Sequence, residues 1–169
     1  MTFDAQSFRN ALARFASGVT VVTTRLDGTL HGLTVSAFSS LSLDPPLVII
    51  CVSRNIQSHD VISQSGVFAV NFLSEDQVEL GRRFAGLIDG VVDRFEGIQC
   101  VPSPEDNPLI PGCLGWLDCK VWKTFDGGDH SIFVGEVVSA GTGSGDLPLL
   151  YFDRRWHGLR ETGDEPDIL

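Results

Sequence analysis

Hydroxyl side chains crowd one stretch of this chain that otherwise has the pattern of an extended strand. They occupy positions where a core strand would carry Val, Ile or Leu: Thr34, Ser36, Ser39, Ser40 and Ser42. Small hydroxyl residues leave room for a flat ligand against the backbone, and they supply hydrogen bonds to its edge. The stretch therefore predicts a surface that binds a planar molecule. Hydroxyls that only cap the sheet are the alternative.

A second patch lies far downstream, where Gly127-Gly128-Asp129-His130 precedes a β-branched and apolar run. Glycines let the backbone turn tightly and allow a ligand to approach it closely. His130 is therefore the candidate contact for a second substrate. A histidine that merely closes a hairpin is the alternative.

The charge balance excludes one class of partner and permits another. A formal net charge of −10 argues against nucleic acid, because binding a phosphate backbone requires clustered Lys and Arg. A single phosphate needs only a few local donors and a helix start. Ser53, Arg54 and Ser58 lie where a strand passes into a predicted helix, and Arg82 and Arg83 lie late in another. These residues are candidate phosphate ligands, with a solvated Arg54 as the alternative.

Several familiar motifs are missing from the sequence. The segment Gly141-Thr142-Gly143-Ser144-Gly145 is followed closely by Pro148, which blocks the helix that a dinucleotide fingerprint requires. The four cysteines lack metal-ligand spacing, so we expect no metal and reduced, cytoplasmic thiols. No apolar run reaches the length of a membrane span, and the N-terminus has no secretory pattern, so we expect no membrane association.

Periodicity predicts mainly antiparallel strands with two or three helices. Phe8, Leu12 and Phe15 give the first helix an apolar face, and Asp27-Gly28 predicts a hairpin turn. A capping box at Ser74 predicts the start of a later helix. The other predicted elements are a helix over 55–64, strands over 19–24, 47–52, 67–73, 114–125, 132–138 and 149–152, and a loop-rich segment over 88–112. Short strands with frequent turns favour a barrel.

Several short segments of the chain, taken in their order and spacing, resemble the flavin reductase family of two-component monooxygenase systems. The pieces that match are residues 15–24, residues 32–47, Asn71-Phe72-Leu73, Arg83-Phe84-Ala85, Gly128-Asp129-His130 and Tyr151-Phe152. The resemblance implies a mainly β fold with flanking helices, an antiparallel split β-barrel of the FMN-binding type, and a homodimer. We expect one domain over residues 1–160 and a disordered tail over 161–169.

The same resemblance implies an enzyme that transfers hydride from NADH or NADPH to N5 of FMN or FAD, with NADH preferred. Reduced flavin would then pass to a separate monooxygenase. The resemblance places His130 near the nicotinamide as the catalytic residue. The other implied cofactor-binding residues are Thr34, Val35, Ser36, Ala37, Ser53, Arg54, Ser58, Arg82, Arg83, Phe84, Gly128, Asp129 and Trp156. Trp156 could cover the flavin or pack at a dimer seam. A flavin-binding carrier or sensor without turnover, and an oxidase of the pyridoxamine-phosphate oxidase type, are the alternative functions.

Overall fold

The fold is built on an antiparallel seven-stranded sheet. The structure, a computed structural model, describes residues 3–160. Its strands are β1 Ser17–Gly18, β2 Thr20–Leu26, β3 Thr29–Val35, β4 Phe38–Leu43, β5 Pro46–Ser53, β6 Val67–Phe72, β7 Val101–Pro102, β8 Pro108–Leu109, β9 Gly115–Gly127, β10 His130–Thr142, β11 Leu150–Phe152 and β12 Arg155–His157. Its helices are α1 Ala5–Ala13, α2 Gln57–Ser65 and α3 Val78–Phe84, the last preceded by a 3₁₀ turn at Glu75–Gln77. The main sheet has the order β3-β2-β6-β9-β10-β5-β4, and a smaller sheet has the order β1-β11-β12.

A short link between two edge strands closes the main sheet into a barrel. β3 and β4 follow each other in the chain, yet they lie at opposite ends of the strand order. Only Ser36 and Ala37 connect them, so the two edges must come together. The N–H of Cys51 on β5 donates to the carbonyl of Ala37 at 3.0 Å, which ties this link to β5. The prediction of a mainly β, antiparallel split β-barrel with flanking helices is confirmed.

β2 is buried on both faces and separates two apolar cores. Val22 lies inside the barrel with Phe68 and Phe133. Its neighbour Val21 points the other way and packs in an outer core with Phe84 of α3. Successive strand residues face opposite sides of a sheet, so a strand covered on both sides is apolar without alternation. The continuous β-branched run that predicts this strand follows from that double burial.

The structure differs from the sequence expectation in the hydroxyl-rich stretch. The sequence predicts one strand running to Pro45-Pro46, but the structure divides it at Ser36 and Ala37 into β3 and β4. The reason is a change of partner, because β3 pairs with β2 whereas β4 pairs with β5. Local residue preference carries no information about that exchange.

The helices form close to their predicted positions. Asp4 begins α1 by accepting the N–H of Gln6 at 3.0 Å, but among the described residues of this helix none is buried. Its apolar face is therefore exposed, contrary to the usual burial of such a face. At the 3₁₀ turn that precedes α3, the N–H of Ser74 donates to Gln77 Oε1 at 3.1 Å, as the capping box predicts. The sequence did not predict β12, which carries Trp156.

Two further expectations concern the C-terminal tail and membrane association. The expected disordered tail, residues 161–169, lies outside the described residues. Within residues 3–160, no helix has the length and apolar character needed to cross a membrane.

Candidate functional site

A cleft of about 630 Å³ opens between α2, α3 and the first of the barrel's edge strands. It is lined by residues 29–34 of β3, residues 56–58 at the start of α2, Phe84 and Ala85 at the end of α3, and residues 91–95. We call it the α2–α3 cleft. Its size falls within the range of ligand pockets, and three predicted cofactor residues, Thr34, Ser58 and Phe84, meet there.

Arg94 supplies this cleft with a cationic group that the sequence did not indicate. Its Nη1 donates to the carbonyl of Phe84 at 3.0 Å and to the carbonyl of Gly32 at 3.3 Å. Phe95 anchors the segment because its ring packs edge-on against Phe84, with ring centroids 4.9 Å apart. Arg94 lies in the loop-rich segment 88–112, where neither spacing nor periodicity distinguishes it.

Thr34 connects the cleft to α3. Its Oγ1 donates to the carbonyl of Gly81 at 2.7 Å, which holds the helix against β3. The hydroxyl oxygen keeps a lone pair that can accept a hydrogen bond from a ligand. Phe84 also packs closely on β3, since a Cβ built at Gly32 would lie 2.6 Å from its Cε1. Gly32 therefore permits the close approach of α3 that forms one wall of the cleft.

The remaining predicted residues of this stretch do not share the α2–α3 cleft. Val35 is buried in the barrel core, where its carbonyl accepts the hydroxyl of Thr20 at 2.7 Å. Ser36 lines a second cleft of about 400 Å³, which includes residues 15–20. Ala37 is exposed at the link between β3 and β4. The stretch that was predicted as one ligand surface thus divides between two clefts.

His130 lies at the tip of the β9–β10 hairpin, next to the turn that Gly127 and Gly128 indicate in the sequence. Gly128 adopts a positive φ of 79°, and its N–H donates to Asp126 Oδ1 at 2.9 Å. The Nδ1 of His130 lies 2.7 Å from Asp129 Oδ1. An ionised carboxylate only accepts hydrogen bonds, so this contact assigns the Nδ1 proton to the imidazole and leaves Nε2 for a ligand. The hydrogen bond from His130 and the charge of its ring lower the pKa of the Asp129 carboxyl. The His130 side chain is 43% exposed.

Arg54 belongs to this hairpin and not to the lining of the α2–α3 cleft. Its Nη2 forms an ion pair with Asp126 Oδ2 at 2.9 Å, and its backbone N–H donates to the carbonyl of Asp129 at 3.0 Å. The hydrogen bond from Gly128 and the pairing with Arg54 lower the pKa of Asp126. Ser53 is the register partner of His130 across β5 and β10. Ser53, Arg54, Gly128, Asp129 and His130 therefore form one cluster.

The two arginines of α3 are engaged outside the cleft lining. Arg82 Nη1 forms an ion pair with Glu79 Oε1 at 3.0 Å along the same helix. Arg83 Nη1 donates to the carbonyl of Glu96 at 2.8 Å and so ties α3 to the loop-rich segment. Neither arginine lines the α2–α3 cleft, and their role as cofactor ligands stays a prediction.

Trp156 packs against α3 and Tyr151. Its indole lies against α3, where a Cβ built at Gly81 would be 3.0 Å from the ring. Its other neighbour is Tyr151, with ring centroids 5.3 Å apart in an edge arrangement. These contacts fix the indole against α3 and Tyr151, and the expected roles of Trp156, over a flavin or at a dimer seam, stay predictions.

The α2–α3 cleft and the His130 hairpin have complementary chemical properties. The α2–α3 cleft combines an apolar wall with hydroxyl groups and one guanidinium, which suits a flat, phosphate-bearing ligand. The hairpin presents a half-exposed imidazole, with one ring nitrogen outside the Asp129 contact, close to Gly128. The segment from Ser53 to Ser58 joins them, because one end pairs with the hairpin and the other borders the cleft. The geometry defines a split-barrel protein in which the α2–α3 cleft and the His130 hairpin adjoin through one short segment.

Comparison with known proteins gives the family. Residues 12–160 match the family described as "Flavin reductase like domain". The reductase subunit HsaB of a flavin-dependent monooxygenase from Rhodococcus jostii is 38% identical over 164 residues, which cover 97% of this chain and 80% of the relative. The chain belongs to the flavin reductase family.

Solved structures of flavin reductases are similar to this chain over nearly its whole length. Flavin reductase PheA2 in its native state superposes with a TM-score of 0.87 at 38% identity, covering 94% of this chain and 100% of that one. The NADH:FAD oxidoreductase SgcE6 of Streptomyces globisporus, solved in complex with NAD and FAD fragments, gives a TM-score of 0.87 at 34% identity. That match covers 95% of this chain and 96% of that one.

Proposed function

We infer that this protein is an NAD(P)H-dependent flavin reductase that supplies reduced FMN or FAD to a separate monooxygenase, with NADH as the preferred hydride donor. The observation that carries the inference is the joining of the α2–α3 cleft to the His130 hairpin by one short segment, Ser53–Ser58. Relatives named as reductase components of monooxygenases support the partner, and a relative named "FMN reductase (NADH)" supports NADH.

The proposed flavin site uses the residues of the α2–α3 cleft. Thr34 offers a hydroxyl oxygen to the polar edge of the ring, and Ser58 with Arg94 offers donors to a phosphate. A bound flavin supplies the chemistry of hydride acceptance at its N5 atom. The chain's task is then to bind, orient and exclude water, and proton transfer by a side chain is not required for that step.

His130 is proposed to contact the nicotinamide. Its Nδ1 proton is held by Asp129, so the ring presents Nε2 in a fixed orientation. Gly128 leaves the approach open, since nothing lies within 4 Å of a Cβ built there. Ser53 and Arg54 hold the hairpin, and Arg82, Arg83 and Trp156 support α3. Ser36, Val35 and Ala37 shape the backbone between the two clefts.

We further propose that residues 1–160 form one domain and that the protein is a cytoplasmic homodimer. The exposed apolar surface at α1 supports the dimer. Phe8 and Leu12 on the helix are 50% and 57% exposed, Phe15 just beyond its end is 78% exposed, and clustered apolar residues of this kind mark association surfaces. Four free cysteines support a reducing compartment. Sedimentation of the wild type beside Leu12→Asp tests the dimer, with a monomeric wild type as the contrary result.

The experiment for the activity is oxidation of NADH and of NADPH at 340 nm, with FMN and FAD each added in excess. We expect flavin-dependent turnover, faster with NADH. Clear flavin binding without turnover for any pair would instead identify a carrier or sensor.

A further inference from the structure

The hairpin that carries His130 is supported from one side. The pairing of β9 with β6 ends at Lys120, beside Val67. Among the strands of the described range, residues 122–127 of β9 then have only β10 as a neighbour, and Trp122 and Phe125 are exposed there. The position of the hairpin tip therefore depends on contacts made from the β5 and α2 side.

Those contacts meet at one buried hydroxyl. Ser131, the residue after His130, is 4% exposed. Its Oγ lies 3.2 Å from Arg54 Nε and 2.9 Å from His59 Nε2. Arg54 directly follows β5 and His59 lies in the first turn of α2, so Ser131 joins the hairpin to both neighbourhoods.

The His59 ring is held on three sides. Nδ1 lies 3.0 Å from Asp60 Oδ1, Nε2 faces Ser131, and the edge of Phe133 packs against the ring with centroids 5.5 Å apart. The His59 side chain is 16% exposed. A carboxylate cannot donate, so in the neutral ring the proton lies on Nδ1 and Nε2 accepts the Ser131 hydroxyl. The hydroxyl oxygen in turn accepts from Arg54, and each group in the chain of hydrogen bonds has a partner.

We propose that His59 is a positioning residue, which fixes the His130 hairpin relative to the start of α2 through Ser131. The inference rests on the proposed function, in which His130 contacts the nicotinamide and Ser58, the neighbour of His59, borders the flavin cleft. A network that is fully satisfied restricts its members to one arrangement. His59 thereby sets the separation of the two ligand sites without touching either ligand.

Hydrogen–deuterium exchange of the ligand-free protein tests the positioning directly. We expect His59→Ala to raise the exchange rate of residues 126–131 by about tenfold, because one of the tip's few attachments is lost. Gln64→Ala, an exposed change on the same helix, should leave that rate unchanged. His59→Gln should restore protection, since its amide can accept the Ser131 hydroxyl. Equal exchange in the wild type and His59→Ala overturns the proposal.

Steady-state kinetics separates positioning from simple loss of stability. We expect His59→Ala to raise KM for NADH roughly five- to tenfold while kcat and the flavin Kd stay within about twofold. Ser131→Ala should raise KM at least as much, since it also removes the Arg54 contact. The double variant should be no worse than Ser131→Ala, because both changes remove the same His59–Ser131 contact. Additive losses, or a change in flavin Kd equal to that in KM, would contradict the proposal. Absence of turnover in the wild type would overturn the proposed function itself, whatever the exchange result.

Discussion

His130 and Ser53 stand opposite each other where β10 meets β5. From Ser53 the chain runs through Arg54, which binds the hairpin, and reaches Ser58, which borders the α2–α3 cleft. One continuous segment of six residues therefore sets the spacing between the imidazole and the cleft. Such spacing matters for hydride transfer, because the reaction requires the two rings to be held in close and defined contact.

Replacement of His130 by alanine should lower kcat/KM for NADH by roughly tenfold or more, about 1.4 kcal/mol, because the nicotinamide loses an oriented contact. The chemical step should still occur, since the ring is not proposed as an indispensable proton carrier. Steady-state oxidation of NADH at saturating flavin measures the effect. His157→Ala changes an exposed histidine outside the site and serves as the control. An unchanged kcat/KM would remove His130 from the site.

Replacement of Arg94 by alanine should raise the Kd for FMN by about tenfold to a hundredfold, since a charge-assisted hydrogen bond to phosphate contributes roughly 1.5–3 kcal/mol. Flavin fluorescence quenching measures the Kd. Arg94 also donates to two backbone carbonyls, so thermal unfolding should be recorded alongside. Arg94→Lys keeps the charge, so its Kd for FMN should lie between those of the wild type and Arg94→Ala. Arg9→Ala, in the exposed helix α1, is the control. Similar FMN affinity in Arg94→Ala and the wild type would exclude Arg94 as a phosphate ligand.

Local chemistry accounts for the elements that the sequence predicted well. Asp27 and Gly28 both adopt positive φ, which a tight hairpin turn requires. Gly66 ends α2 in the left-handed conformation, with its N–H donating to the carbonyl of Ile62 at 3.1 Å. These features depend on neighbouring residues alone, and they can therefore be derived from the sequence without knowledge of the fold.

Long-range pairing accounts for what the sequence did not predict. The break between β3 and β4 arises from two different partner strands. Arg94 becomes a cleft residue only because Phe95 packs on Phe84, and Arg54 is drawn to Asp126 across 72 residues of chain. The candidate hairpin and its histidine were found because glycine and turn residues leave a local pattern. Thr34, Ser58 and Phe84 come from three separate elements, and no local pattern indicates that they meet in one cleft with Arg94.

Gly135 should not tolerate a larger side chain. A Cβ at this position of β10 would lie 2.5 Å from Phe68 Cζ and 3.0 Å from Cys119 Cβ, in the fully buried barrel core. Gly135→Ala should therefore destabilise the protein by roughly 1–3 kcal/mol, the usual cost of overpacking. Urea unfolding measures the change. Gly18→Ala, where nothing lies within 4 Å of the added Cβ, is the matched control and should be near neutral. Equal midpoints for the two variants would contradict this account of the core.

The buried thiol of Cys119 should make the protein lose stability at alkaline pH. Burial, with a smaller contribution from the charge of Asp118, raises the pKa of Cys119 from 9.0 to about 12. Above pH 9 the unfolded chain releases this proton while the folded chain retains it, so the folded state binds more protons. The free energy of unfolding must then fall as pH rises from 9 towards 12, by at most about 1.4 kcal/mol per pH unit for this group.

Cys119→Ala isolates that contribution. The variant lacks the titrating thiol but keeps the other groups that titrate in this range, so its free energy of unfolding should decline less steeply with pH than that of the wild type. Urea unfolding at intervals from about pH 8 to 10.5 gives both slopes, and any constant offset from the smaller side chain cancels in the comparison. Parallel curves for the two proteins would mean that the Cys119 thiol ionises equally in the folded and unfolded states, which its complete burial beside Phe68 argues against.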